Sequence, residues 1–147
     1  MSFSFEELQG EDFIDVLPAY QKNTIYELSK QGRSNEEIAQ IWLEANGPAN
    51  NFPFGSERKK NSFYEHVKVE VEEFICNEKK YKEEKKRFAD LLKTGKLAAV
   101  SYMAIAIANV VGASATLIVT VIVLILDTAS KMGINAWCSY RSAERTK

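Results

Sequence analysis

The pattern of apolar and polar positions divides the chain in two. Leu97 to Leu126 runs for thirty residues without a charge, whereas the residues before it mix apolar and charged side chains at helical spacing. In the second half of that run, Thr116 to Leu126, only Thr116 and Thr120 interrupt the apolar side chains. A helix that is apolar all round is enclosed on every side, by lipid or by protein. As one helix the run would extend about 45 Å, more than the roughly 30 Å hydrocarbon core of a bilayer. A chain of 147 residues has little protein left to enclose it, which favours a membrane-inserted segment over a central core helix.

Upstream the pattern predicts helices and no strand. Phe13, Ile14, Val16, Leu17 and Tyr20 are apolar, and Pro18 suits the first turn of a helix that would stop near Gly32. Ser34 and Glu37 have capping-box spacing, Gly47 and Pro48 mark an end, and Ile38, Ile41, Trp42 and Ala45 fall on one face between them. Ser4–Glu7 offers a second capping box. The stretch 45–56, rich in Asn, Pro and Gly, reads as a loop, with Phe52 and Phe54 as its anchors. Ser56 then opens one long helix to about Lys96, striped by Phe63, Val67, Val71, Phe74 and Ile75 and continued by Tyr81, Phe88, Leu91 and Leu92 past a thin patch at Asn77. Its Lys/Glu face reads as solvated. The fold class is therefore all-α: a small N-terminal helical bundle (1–95), one long apolar transmembrane helix (97–126) with a candidate break at Gly112–Ser114, and a short interfacial tail (127–147).

Every fourth residue from Ala104 through Ala108, Gly112, Thr116 and Thr120 is small, a ladder that lets two helices approach closely. Asn109 lies beside it and needs a partner or water if placed in lipid. A break at Gly112–Ser114, with Ser114 as a cap, would instead give two shorter helices and a hairpin. Tyr102, Trp137 and Tyr140 suit a membrane interface. Lys79, Lys80, Lys82, Lys85, Lys86, Arg87, Lys93 and Lys96 precede the run, against Lys131, Arg141, Arg145 and Lys147 after it. That bias keeps the N-terminal part in the cytoplasm.

Composition narrows the chemistry. Net charge is −1, so no global basic field marks a nucleic-acid binder. The two cysteines, Cys76 and Cys138, lack metal-site spacing and read as unrelated free thiols in a reduced compartment. The single histidine, His66, leaves no histidine-rich metal site. The acidic N-terminus has no apolar core of a secretory signal. No nucleophile–base arrangement or phosphate-cradling loop is present, so neither enzyme activity nor a cofactor is expected.

Two short stretches carry resemblances. Gly32–Ala39, GRSNEEIA, resembles the opening of the helix-turn-helix of LuxR-type regulators, where a recognition helix follows closely; here an eleven-residue loop with two prolines intervenes. Arg58, Lys59 and Lys60 then offer phosphate contacts. RKKNSFYEH resembles the Arg-x4-6-His signature of HEPN ribonucleases, with Lys60 in place of the arginine. Lysine lacks the planar fork that grips phosphate, and His66 reads more simply as a surface residue.

The leading expectation is a non-enzymatic membrane protein whose apolar segment meets lipid and forms homo-oligomers, while the helical domain takes a protein partner. By architecture alone this is the build of small bacterial effectors that permeabilise membranes in defence or toxin systems. The alternatives are a soluble helical interaction subunit with a buried apolar hairpin, and a nucleic-acid-binding regulator using Ser34–His66.

Overall fold

The computed structural model describes residues 12–46, 56–77 and 79–145, with the backbone alone at 46, 56–62 and 145. The Ser4–Glu7 box and the Phe52 and Phe54 anchors lie outside the described residues. Among the described residues, seven α-helices follow a short 3-10 turn at Ile14–Val16: α1 (Ala19–Lys30), α2 (Asn35–Asn46), α3 (Ser56–Cys76), α4 (Lys82–Leu92), α5 (Lys96–Val111), α6 (Ala115–Met132) and α7 (Ile134–Arg145). No strand occurs among the described residues. The fold is all-α.

Helix α6 is the axis of the molecule. Helices α2, α3, α5 and α7 all pack against it, and every residue from Thr120 to Asp127 is buried. This is how a short chain encloses a helix that is apolar all round: four neighbours each cover one sector. Helix α6 is also long and apolar enough to cross a membrane by length and composition, although most of it is buried inside the fold.

The thirty-residue run is not one helix. Helix α5 ends at Gly112, whose φ of 76° is left-handed, and Gly112 N–H donates to the Ala108 carbonyl at 2.9 Å. Ser114 then caps α6 by accepting from Leu117 N–H at 3.2 Å. The two helices pack on each other, so the run forms an apolar hairpin. A Cβ on Gly112 would meet nothing within 4 Å, so a side chain there is opposed by the backbone alone. Gly112→Ala is expected to cost about 1 kcal/mol of unfolding free energy. Urea denaturation checks this, and an unchanged midpoint would contradict the left-handed turn.

The long helix expected from Ser56 to Lys96 is two helices, α3 and α4, separated at Asn77–Tyr81. Asn77 supplies the local reason: its side-chain oxygen accepts from Lys79 N–H at 3.2 Å, an Asx turn that competes with helix continuation, and its carbonyl accepts from Lys85 Nζ. Tyr81 then folds back onto α3, its ring 5.1 Å from Phe74, while Phe88 of α4 meets Phe74 edge-on at 5.7 Å. The expected stripe holds, with Val67, Val71, Phe74 and Ile75 buried and Phe63 half-buried. On α2 the buried side is Ile38, Ala39 and Leu43, rotated from the expected face so that Ala45 is exposed.

The cysteines correct another expectation. Cys76 at the end of α3 and Cys138 in α7 form a disulfide, with Cα atoms 5.8 Å apart. They are not unrelated thiols: the packing of α7 on α3 brings together residues 62 positions apart. Such bonds persist in oxidising surroundings.

Candidate functional site

The α5–α6 hairpin is the feature that most distinguishes this fold, and its two helices are held differently. Helix α6 is locked to the N-terminal helices by polar bonds as well as by packing. Asn35, the first residue of α2, directs its Nδ2 at the Leu124 carbonyl (3.3 Å), Asp127 Oδ2 (3.2 Å) and Thr128 Oγ1 (3.0 Å). The turn that aims it is built locally: Gly32 takes φ 87°, and Ser34 and Glu37 exchange capping-box bonds of 2.9 and 3.2 Å. Lys131 Nζ reaches Asp127 Oδ2 at 3.0 Å. Asp127 is 1% exposed, and its other oxygen, Oδ1, has no hydrogen-bond partner among the described residues. Higher up α6, Thr120 Oγ1 donates to Gln21 Oε1 at 2.8 Å, and Trp42 Nε1–H donates to the Leu117 carbonyl at 3.0 Å.

Helix α5 is covered on one side only. Ala99, Val100, Met103, Ala104, Ile107 and Ala108 are buried. The opposite side exposes Leu97, Ile105, Asn109 and Val110, and leaves Ala98, Ser101, Tyr102 and Ala106 half-covered. These eight lie in two adjacent rows of fourth neighbours, a continuous uncharged face about 20 Å long.

The expected site residues are therefore dispersed. Ala104 and Ala108 face inward on α5, Gly112 forms the turn, Thr116 is exposed in the first turn of α6, and Thr120 is buried against Gln21. The small-residue ladder does not exist as one helix face, because the chain breaks inside it at Gly112–Ser114. Asn109 faces outward on α5. Among the aromatic anchors, Trp137 is buried with Ile134 under α7 and is no surface anchor. Tyr102 is half-buried, and Tyr140 is exposed with its hydroxyl donating to Glu144 at 3.1 Å. Arg58, Lys59 and Lys60 lie on the backbone of α3, with side chains outside the described residues.

Two carboxylates of α3, on a helix whose Lys/Glu pattern predicts a solvated face, are buried. Glu70, 4% exposed, accepts from Tyr81 Oη at 2.6 Å and from Lys80 Nζ at 2.9 Å. Burial and that hydrogen bond push the Tyr81 phenol well above its ordinary value. Glu72 is equally enclosed and accepts from Arg141 Nε at 3.0 Å. The signal that could have found them is their place beside Val71 and Phe74 on the apolar stripe. His66 is half-exposed, 4.0 Å from Glu70, and Lys68 pairs with Glu36 across α3 and α2 at 3.1 Å. Among the described residues no group of three or more His, Cys, Asp or Glu is placed to hold a metal ion.

With this geometry in hand, comparison with protein-family models, with curated proteins and with solved structures finds no match to this chain.

Proposed function

We propose that this chain is a non-enzymatic, self-associating helical subunit, in which the apolar hairpin is core and the outer face of α5 is the contact between two copies. The observation that carries this reading is the uncharged face of Leu97, Ser101, Ile105, Asn109 and Val110. A face without charges needs no complementary partner and can meet its own copy about a two-fold axis. Its small residues, Ala98, Ser101 and Ala106, allow close approach of two helices, while Leu97, Ile105 and Val110 supply apolar area.

Membrane insertion of α6 as a single span fits this geometry less well. It would separate Asn35 from Asp127 and Thr128 and strip α2, α3 and α7 of their shared core. It remains the second reading because α6 meets the length and composition of a membrane span. Under it, the hairpin opens at Gly112–Ser114, the N-terminal helices stay cytoplasmic, and assembly in lipid would permeabilise the bilayer.

Cell fractionation followed by light scattering on the purified chain separates the two. Recovery in the supernatant as a dimer, converted to monomer by Ile105→Glu with helicity retained, is the expected outcome. A native monomer at micromolar concentration would sink self-association. Recovery only with detergent would replace it by the membrane reading.

A further inference from the structure

Helix α7 is held to the fold differently from α6. Ile134, Trp137 and Arg141 are buried and Cys138 is half-buried, while the other described side chains of α7 are exposed. These four lie on one face at helical spacing. Two are apolar, one is a charge and one is joined covalently to α3. Helix α6, by contrast, buries eleven residues and is bonded to α1 through Thr120 and to α2 through Asn35. The charge adds little to the docking of α7. Enclosing Arg141 and Glu72 costs both their hydration, and their attraction at 3.0 Å roughly offsets that cost. Undocking returns Arg141 to water and opens Glu72 to it, unlike a substitution that removes one partner. Noncovalent retention of α7 therefore rests mainly on Ile134 and Trp137. A helix of 12 residues is marginal in water by itself, so an undocked α7 also unfolds.

Cys76 and Cys138 are only half-buried, so the bond between them lies where a thiol can approach. Gly133 alone separates α6 from α7, a joint about which α7 can leave. We propose that Cys76–Cys138 is a redox latch: with the bond closed α7 is docked on α3 and α6, and reduction by a dithiol releases α7 while the rest of the bundle stays folded. A thiolate of the dithiol attacks one sulfur, the Cys76–Cys138 bond breaks, and the other cysteine leaves as a thiolate that takes up a proton. The second thiol of the reductant then displaces the first cysteine from the mixed disulfide. The reductant becomes a disulfide, and two electrons and two protons pass to the cysteines. Release uncovers Ile134, Trp137 and the sides of α3 and α6 beneath them, a new apolar surface. That surface does not involve α5, so the latch is independent of self-association through the α5 face.

Hydrogen exchange followed by mass spectrometry on the intact chain, with and without dithiothreitol and below the unfolding transition, tests the latch. Reduction should speed amide exchange across 134–145 by about tenfold or more, while Thr120–Asp127 in α6 stays protected. Reoxidation should restore protection in α7. Cys138→Ser should exchange in α7 as the reduced chain does, with no reductant present. Unchanged protection of α7 once both thiols react would overturn the proposal, because packing alone would then hold the helix. An equal rise in every helix would also overturn it, since the bond would then staple the whole fold. So would two reactive thiols that persist after treatment with an oxidised dithiol, because no bond would then form.

Discussion

Replacing Cys76 and Cys138 together by serine is expected to lower the unfolding free energy by about 4 kcal/mol, the entropic worth of closing a loop of this length. The bond joins residues 62 positions apart and encloses α4, α5 and α6, so opening it frees the unfolded chain over most of its C-terminal half. In thermal unfolding the loss corresponds to roughly 10–20 °C, and treatment of the native chain with reductant should reproduce it. Thiol titration of the denatured, unreduced protein gives an independent check. If that titration finds two reactive thiols and reductant leaves the midpoint unmoved, the bond does not form and the expected loss does not exist. The result also bears on compartment, because structural disulfides are rare in a reducing cytoplasm.

Arg141→Met is expected to cost about 3–5 kcal/mol, comparable to the disulfide. Arg141 is 4% exposed and Glu72 3%, and Nε lies 3.0 Å from Glu72 Oε1. Removing the guanidinium takes from the enclosed Glu72 carboxylate its 3.0 Å ion pair with Arg141. Arg141 also holds Glu144 at 3.0 Å, but Glu144 is exposed and that pair contributes little. Replacing both partners, Glu72→Met with Arg141→Met, should cost much less than the single change, since two buried charges leave together. A double-mutant cycle in urea measures the coupling. A double variant as unstable as the sum of its two singles would mean that the pair does not act as a unit.

Both expectations concern α7, the element whose role was least legible from the chain. Trp137 and Tyr140 look like interfacial aromatics in sequence, because a tail after an apolar run invites that reading. In the fold Gly133, at φ 100°, ends α6, and α7 turns back onto α3 and α6. Trp137 then enters the core, and Cys138 and Arg141, one and four positions on, reach Cys76 and Glu72. Nothing local in the tail announces those partners, since both lie more than sixty positions away on another helix.

Helix existence was legible because its signals are local. The Ser34–Glu37 box, Pro18 before α1, the α3 stripe and the Gly112–Ser114 joint act within four residues of themselves, and each appears where its spacing places it. The break at Asn77 was missed although its cause is also local. The apolar pattern resumes beyond it in helical phase, and periodicity does not register one Asx turn.

The sequence by itself determined that the chain is helical, that the second half of Leu97–Leu126, apolar all round, must be enclosed, and that Gly112–Ser114 can turn the run. Which medium shields it was left open, because lipid and protein select the same apolar side chains. Only the tertiary arrangement decided that α2, α3, α5 and α7 enclose α6, that the two cysteines meet, and that Glu72 and Asp127 lie inside. Those outcomes depend on pairs of residues far apart in the chain, and the spacing of one helix carries no record of the helix that will pack against it.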